Sequence, residues 1–190
     1  LAPAETGPEK SEYILVYETD PYGNDPRVIS KEKMLETIRS AESELYCLGK
    51  SGADETPFLA QINKSTGDLT VLRSFPAETE ITYFTVRDSG LFYCADGTLY
   101  KGFLEKTEPT ADTVLLNDCA AVHFSGGTVY YSSEEEIFAY KLRSGKVRLL
   151  CSATAAQICR KGDQLFFINQ DGLFSVSSKG GDATKLAAHN

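Results

Sequence analysis

The sequence predicts an all-β, β-propeller-like chain of four four-stranded repeats preceded by an N-terminal hairpin. Three observations carry this. A short apolar-aromatic run recurs four times, as Leu45-Tyr46-Cys47-Leu48, Leu91-Phe92-Tyr93-Cys94, Val129-Tyr130-Tyr131-Ser132 and Leu165-Phe166-Phe167-Ile168, with starts 46, 38 and 36 residues apart. That interval suits a propeller blade, for which about 40–45 residues is usual. Each run is followed by a polar turn and a second run alternating at period two, rich in aromatic and aliphatic residues, which is a strand signal. Ten Tyr and ten Phe with no Trp supply flat, partly polar rings for packing one sheet on the next.

Taken in order, residues 1–11 are Pro-, Ala- and Glu-rich, a linker composition of the kind left after a signal peptide or lipid anchor is removed. Tyr13–Tyr17 and Arg27–Ser30 read as a hairpin around Pro21-Tyr22-Gly23-Asn24-Asp25. From Lys33 to Leu45 two readings stay open. Met34, Leu35, Ile38, Ala41 and Leu45 have near-helical spacing with Ser30 as a cap, whereas the repeat demands a strand. The repeats then run over residues 34–80, 81–119, 120–153 and 154–190, within one domain spanning 12–190. Within each, a turn such as Ala95-Asp96-Gly97 or Asn169-Gln170-Asp171-Gly172 leads to a strand such as Leu173–Val176. A further turn such as Ser144-Gly145-Lys146 leads to a strand ending in Val71-Leu72, Leu115-Leu116, Leu149-Leu150 or Leu186-Ala187. Gly, Asp and Asn at these breaks furnish the backbone conformations of hairpin turns. One such sheet cannot hide both faces, so the repeats must stack face to face. The arithmetic fits closure as four or five blades, or a part of a larger propeller.

Composition excludes several classes. Asp and Glu number 27 against 19 Lys and Arg, a net charge of −8. Nucleic acid is not an expected partner, because phosphate binding needs clustered bases. No run approaches the roughly 18 apolar residues of a membrane span. Cys47, Cys94, Cys119, Cys151 and Cys159 include no CxxC pair, so a zinc or thioredoxin-like site lacks support. Most lie in apolar runs and read as buried free thiols, with one disulfide left open for an oxidising setting. His123 sits in a strand and His189 beside the C-terminus, neither near a Gly-x-Ser-x-Gly turn. HExxH, Walker A and Gly-x-Gly-x-x-Gly patterns are absent. No catalytic residue, metal ligand or cofactor is assigned.

The acids offer the sharpest candidate. The turns following the recurrent runs share one face of a propeller, and they carry Asp54 and Glu55, then Asp96, then Glu134, Glu135 and Glu136, then Asp171, against one base, Lys50. The opposite turns are mixed, with Lys64, Lys106, Arg143, Lys146 and Lys179 offsetting their acids. The first set is expected to form a negative face able to bind a cation or a basic partner, the bland alternative being solvated acids that blunt edge pairing. Asp20–Asp25 lacks the alternating ligands and distal Glu of a calcium loop and reads as a plain turn. A two-carboxylate glycosidase stays as the enzymatic alternative, since propellers place acids on different blades.

The stretch from Val129 through Ile137-Phe138-Ala139-Tyr140-Lys141-Leu142 to Leu150, and that from Leu165 through Leu173–Val176 to Leu186, carry a further pattern. It resembles a bacterial propeller family of unknown function that is itself similar to the YWTD propeller of low-density-lipoprotein-receptor-related proteins. The resemblance covers residues 81–190 well and 1–80 poorly, and no repeat reproduces the Thr-Asp half of YWTD. It implies an extracytoplasmic interaction domain, with no catalytic residues to carry over. The reading is therefore a non-catalytic module, secreted or at the cell surface, binding a protein, glycan or cation through the acidic turns.

Overall fold

The computed structural model describes residues 14–18, 27–32, 35–41, 44–51, 54–88, 90–104 and 112–188, the first two segments as backbone. The residue 1–11 lead, the Asp20–Asp25 turn, Lys106 and His189 lie outside them. All regular structure among the described residues is strand, so the fold is all-β and propeller-like. The chain divides into two compact units, Leu1–Thr79 with Leu104–Thr107, and Glu80–Phe103 with Glu108–Asn190.

In the first unit, β1 (Ile14–Glu18) and β2 (Arg27–Glu32) form an antiparallel pair, the expected hairpin. A four-stranded sheet follows, with β3 (Leu35–Ala41), β4 (Glu44–Ser51), β5 (Thr56–Ile62) and β6 (Leu69–Ser74) paired in chain order. The helical option for Lys33–Leu45 is thereby overturned over Leu35–Ala41. Burial there alternates at period two, and Ile38, which a helix would have turned inward beside Leu35, is exposed. Pairing with β4 outweighs the weak helical spacing, as tertiary context commonly does.

The second unit repeats this sheet three times. Its strands are β7 (Ile81–Arg87), β8 (Gly90–Ala95), β9 (Thr98–Phe103) and β10 (Thr113–Leu116); β11 (Ala121–Ser125), β12 (Thr128–Ser133), β13 (Glu136–Lys141) and β14 (Lys146–Ser152); and β15 (Gln157–Lys161), β16 (Gln164–Asn169), β17 (Gly172–Ser177) and β18 (Thr184–Ala188). Every neighbour is antiparallel and consecutive in sequence. Asp96-Gly97 turns β8 into β9 with both φ angles positive, 48° and 75°, the requirement of the hairpin turn that favours Asp-Gly. Gly172 is needed for a different reason. A Cβ there would lie 2.0 Å from the Ala187 carbonyl oxygen, so only glycine lets β17 run this close to β18.

The recurrent runs are the second strands, β4, β8, β12 and β16. In β8 and β12 all four run residues are buried, because each strand is covered on both faces; that is why these runs read as continuous apolar stretches rather than alternating ones. Cys94, Leu99 and Cys119 meet Val122, Val129 and Tyr131 of the following sheet in one core cluster. Tyr130, Ile137, Ala139 and Cys151 meet Ile158, Leu165, Phe167 and Val176 in the next. The third run residue stacks on a ring seven residues later in all three sheets: Tyr93 on Tyr100, Tyr131 on Phe138 and Phe167 on Phe174, with centroids 5.1, 5.3 and 5.4 Å apart. Between sheets, Tyr83 stacks on Phe124 at 5.7 Å.

Polar links also cross between sheets. Arg148 Nη2 donates to the Ser178 carbonyl at 2.7 Å, and the Gly181 N–H donates to the Leu150 carbonyl at 2.9 Å. Leu150 is the extra residue of a β-bulge. Every third-to-fourth strand pairing shifts register by one, and the residue left over is Leu72, Leu115, Leu150 or Leu186. Ser132, fully buried, accepts the Ala121 N–H at 3.1 Å and donates to the Ala155 carbonyl at 3.0 Å. Ser132→Ala strands both backbone groups, so a loss of about 1–3 kcal/mol in urea denaturation is expected; a loss below about 0.5 kcal/mol would show that the hydroxyl is not a link.

Candidate functional site

In a sheet of four antiparallel strands taken in chain order, the chain reverses three times. The turn between the second and third strands therefore lies at the same end as the connection leaving the fourth. Backbone bonds tie the two together here. The Asp96 N–H donates to the Glu80 carbonyl (3.1 Å), the Cys119 N–H to that of Gly97 (2.7 Å), and the Ala120 and Ala156 N–H groups to those of Ser132 (2.9 Å) and Ile168 (2.8 Å).

In the second unit this end carries Asp96 at the β8–β9 turn, Glu134, Glu135 and Glu136 at β12–β13, and Asp171 at β16–β17. Asp54 and Glu55 occupy the equivalent β4–β5 turn of the first unit. The connections add two acids that the turn census missed, Glu80 and Asp118, and the signal that finds them is the parity of strand reversals. The stretches 95–98, 117–120, 133–136, 153–156 and 169–172 contain no Lys or Arg. The opposite end of the same sheets carries, among the described residues, Arg87, Lys141, Arg143, Lys146, Lys161 and Lys179 beside Asp88, Asp112, Asp163 and Asp182. Because the three sheets pack face to face, their like ends adjoin and the charge separation adds across the unit.

Turn chemistry accounts for part of this placement. Glu55, Asp96, Asp118 and Glu134 take positive φ, between 48° and 57°, where an acidic side chain serves as a turn former. The Asp96 carboxylate is also a cap, accepting the Glu80 N–H at 3.0 Å, and the Asp171 N–H donates to Asn169 Oδ1 at 2.9 Å. Glu55 lies 3.7 Å from Lys50 Nζ, which meets Glu36 at 3.0 Å. The hydrogen bond to Glu36 is the main cause holding the Lys50 ammonium above the ordinary lysine pKa. Glu136 is half-buried; Asp54, Glu55, Asp96, Glu134, Glu135 and Asp171 are exposed.

Among the described residues no three His, Cys, Asp or Glu side chains gather closely enough to hold a metal ion. An open hollow of about 440 Å³ in the first unit is lined by Glu44, Gln61, Asn63, Lys64, Ser65 and Thr70, at the sheet end away from Asp54. Its one carboxylate, Glu44, accepts from Gln61 at 3.0 Å. His123 is half-buried on β11 opposite Tyr130. Cys47, Cys94, Cys119 and Cys151 are buried and Cys159 is exposed.

No family model and no curated protein matches the chain. Among solved structures it is similar to Kluyveromyces lactis Hsv2, at 15% identity and a TM-score of 0.63 over 92% of this chain and 57% of that one. It is similar to an oligogalacturonate lyase in complex with manganese, at 13% identity and a TM-score of 0.66, covering 87% of this chain and 57% of that one. A chain of the nidogen–laminin complex matches at 11% identity and a TM-score of 0.61, over 87% and 69% respectively. The chain thus spans a little over half the length of the first two, and at these identities the likeness is one of fold: a β-propeller.

Proposed function

We propose that this chain is a non-catalytic interaction module, extracytoplasmic, that binds a basic protein surface through the acidic end of its sheets. One observation carries the reading. Three successive packed sheets present seven acids and no base at one end, and a majority of bases at the other. Such a field raises the encounter rate with a cationic partner and falls off with salt. The resemblance to the propeller family named above would imply the same role and compartment. Carbohydrate processing is the second reading, since one fold neighbour is a lyase by name; an anionic sugar polymer, however, would be repelled from this end.

Poly-L-lysine is the probe for the charge term. The chain is expected to bind it at about 50 mM salt and release it near 500 mM. A Glu135→Gln/Glu136→Gln/Asp171→Asn variant should bind about tenfold more weakly, while Arg143→Gln/Lys146→Gln binds at least as well as the parent. Equal loss in both variants, or no loss in the first, would refute the acidic end as the binding face.

A further inference from the structure

The three sheets of the second unit obey one docking rule. Within the unit, the second and fourth residues of a run, with their cross-strand partners, face the sheet that follows, and the first and third residues of that following sheet's run face back toward them. Thus Tyr130, Ile137, Ala139 and Cys151 are buried under Leu165, Phe167 and Val176 of the following sheet, as Cys94 and Leu99 are under Val129 and Tyr131. Register makes Phe166, Ile168, Leu173, Ser175 and Ala187 the equivalents of that first set in the β15–β18 sheet. There the rule lacks its second partner. Ser132 is fully buried but its counterpart Ile168 is 42% exposed, and Ala187 is exposed where Cys151 is buried. Leu186, the counterpart of the bulged Leu150 whose carbonyl accepts from the next sheet, is 50% exposed.

This face is not dressed for water. From Gln157 and Cys159 on β15, through Phe166 and Ile168, to Leu173 and Ala187, its one charged residue is Lys161 at the end of β15, whereas a solvated sheet face ordinarily alternates in Lys and Glu. Its layout is that of a face which takes a blade.

We propose that the uncovered face of the β15–β18 sheet docks a further four-stranded blade of the same repeat, carried by the same polypeptide in a form longer than these 190 residues. Two observations select this occupant. A second copy would have to offer a face of first and third run residues, but Cys47, Leu91, Tyr93, Val129, Tyr131, Leu165 and Phe167 are already buried, and Leu45 is half-buried against the cluster of Leu35, Cys47 and Phe58. The solved propellers that this chain matches continue well beyond the match, which covers 57% of both Hsv2 and the lyase. The incoming blade should present an aliphatic residue and a ring two positions apart, as Leu165 and Phe167 do.

Thiol labelling tests this. Ile168→Cys is introduced into the 190-residue chain and into the gene's natural product, and iodoacetamide modification is followed by peptide mass spectrometry. Native Cys159, exposed on the same face, is the second reporter should that variant fail to fold. Rapid labelling is expected in the 190-residue chain, unchanged from about 5 to 500 µM protein, and labelling at least tenfold slower in the natural product purified as a single polypeptide. Equal rates in the two proteins would overturn the proposal. So would protection that rises with concentration in the 190-residue chain, which would mean a second copy. Protection that vanishes once the natural product is freed of other proteins would overturn it too, the occupant then being a separate protein.

Discussion

Phe167→Ala is expected to destabilise the chain by about 3–5 kcal/mol, the range for removing a large ring from a packed core. Phe167 is 1% exposed, sits in the cluster joining the last two sheets, and stacks on Phe174 with an interplanar angle of 11°. Deleting it leaves a void between two sheets, each held by its own hydrogen bonds, so neither can collapse fully into the gap. Phe167→Leu retains part of the volume and should cost less than half as much. Phe103→Ala is the control: that ring is 69% exposed, and the change should stay within about 0.5 kcal/mol. Urea denaturation of the three variants decides the matter; a loss below about 1 kcal/mol for Phe167→Ala would mean that the inter-sheet cluster does not hold the sheets together.

A steep loss of stability in alkali is the second large effect. Burial, reinforced by Cys94 and Asp118, pushes the Cys119 thiol up to about 12 from the ordinary 9.0. Burial also raises Cys94 and Cys151, and raises Tyr131 with a further contribution from Cys119. In each case the folded protein favours the protonated form. Their contribution is therefore fully present below the unfolded pKa and is lost as pH rises through the folded one. For Cys119 the window is pH 9 to about 12, with a slope on the order of 1 kcal/mol per pH unit. The urea midpoint should hold between pH 7 and 8.5 and fall continuously above 9. Cys119→Ala should flatten part of that fall without abolishing it, since Cys94, Cys151 and Tyr131 remain. An unchanged pH profile in Cys119→Ala would show that this thiol does not carry the linkage.

Much of the architecture was legible because its signals are local. A buried central strand needs an unbroken apolar run, and Leu91–Cys94 and Val129–Ser132 display it at the blade interval. A tight hairpin needs positive φ, and Asp96-Gly97 announces it. The rings were expected to pack one sheet on the next, as Tyr83 does on Phe124; the stacking of Tyr93, Tyr131 and Phe167 within their own sheets, on rings seven residues later, was not foreseen. Leu35–Ala41 stayed open between helix and strand because the two periods overlap over so short a window, and only pairing with β4 decides between them. The bulges escaped for a different reason. A one-residue slip at Leu72 or Leu150 is a property of two strands together, so the doubled leucines read as ordinary strand ends. For the acids, Asp54 through Asp171 were placed correctly on second-to-third turns. Glu80 and Asp118 were missed because they flank connections, where end assignment depends on counting strands rather than on any residue pattern.

Every four-stranded sheet in this chain is made from one uninterrupted stretch of residues, each strand bonded to its immediate successor. Closing such a sheet needs only short loops, and the entropy of loop closure rises with the length to be closed. The sequence separation of native contacts is therefore small for an all-β protein, and folding should be fast for this class. Each sheet is able to zip from its own hairpins before it docks, so nucleation at any repeat can propagate to its neighbours. An order of events follows: pairing within sheets comes first, and burial of the rings between sheets, Phe167 among them, comes late.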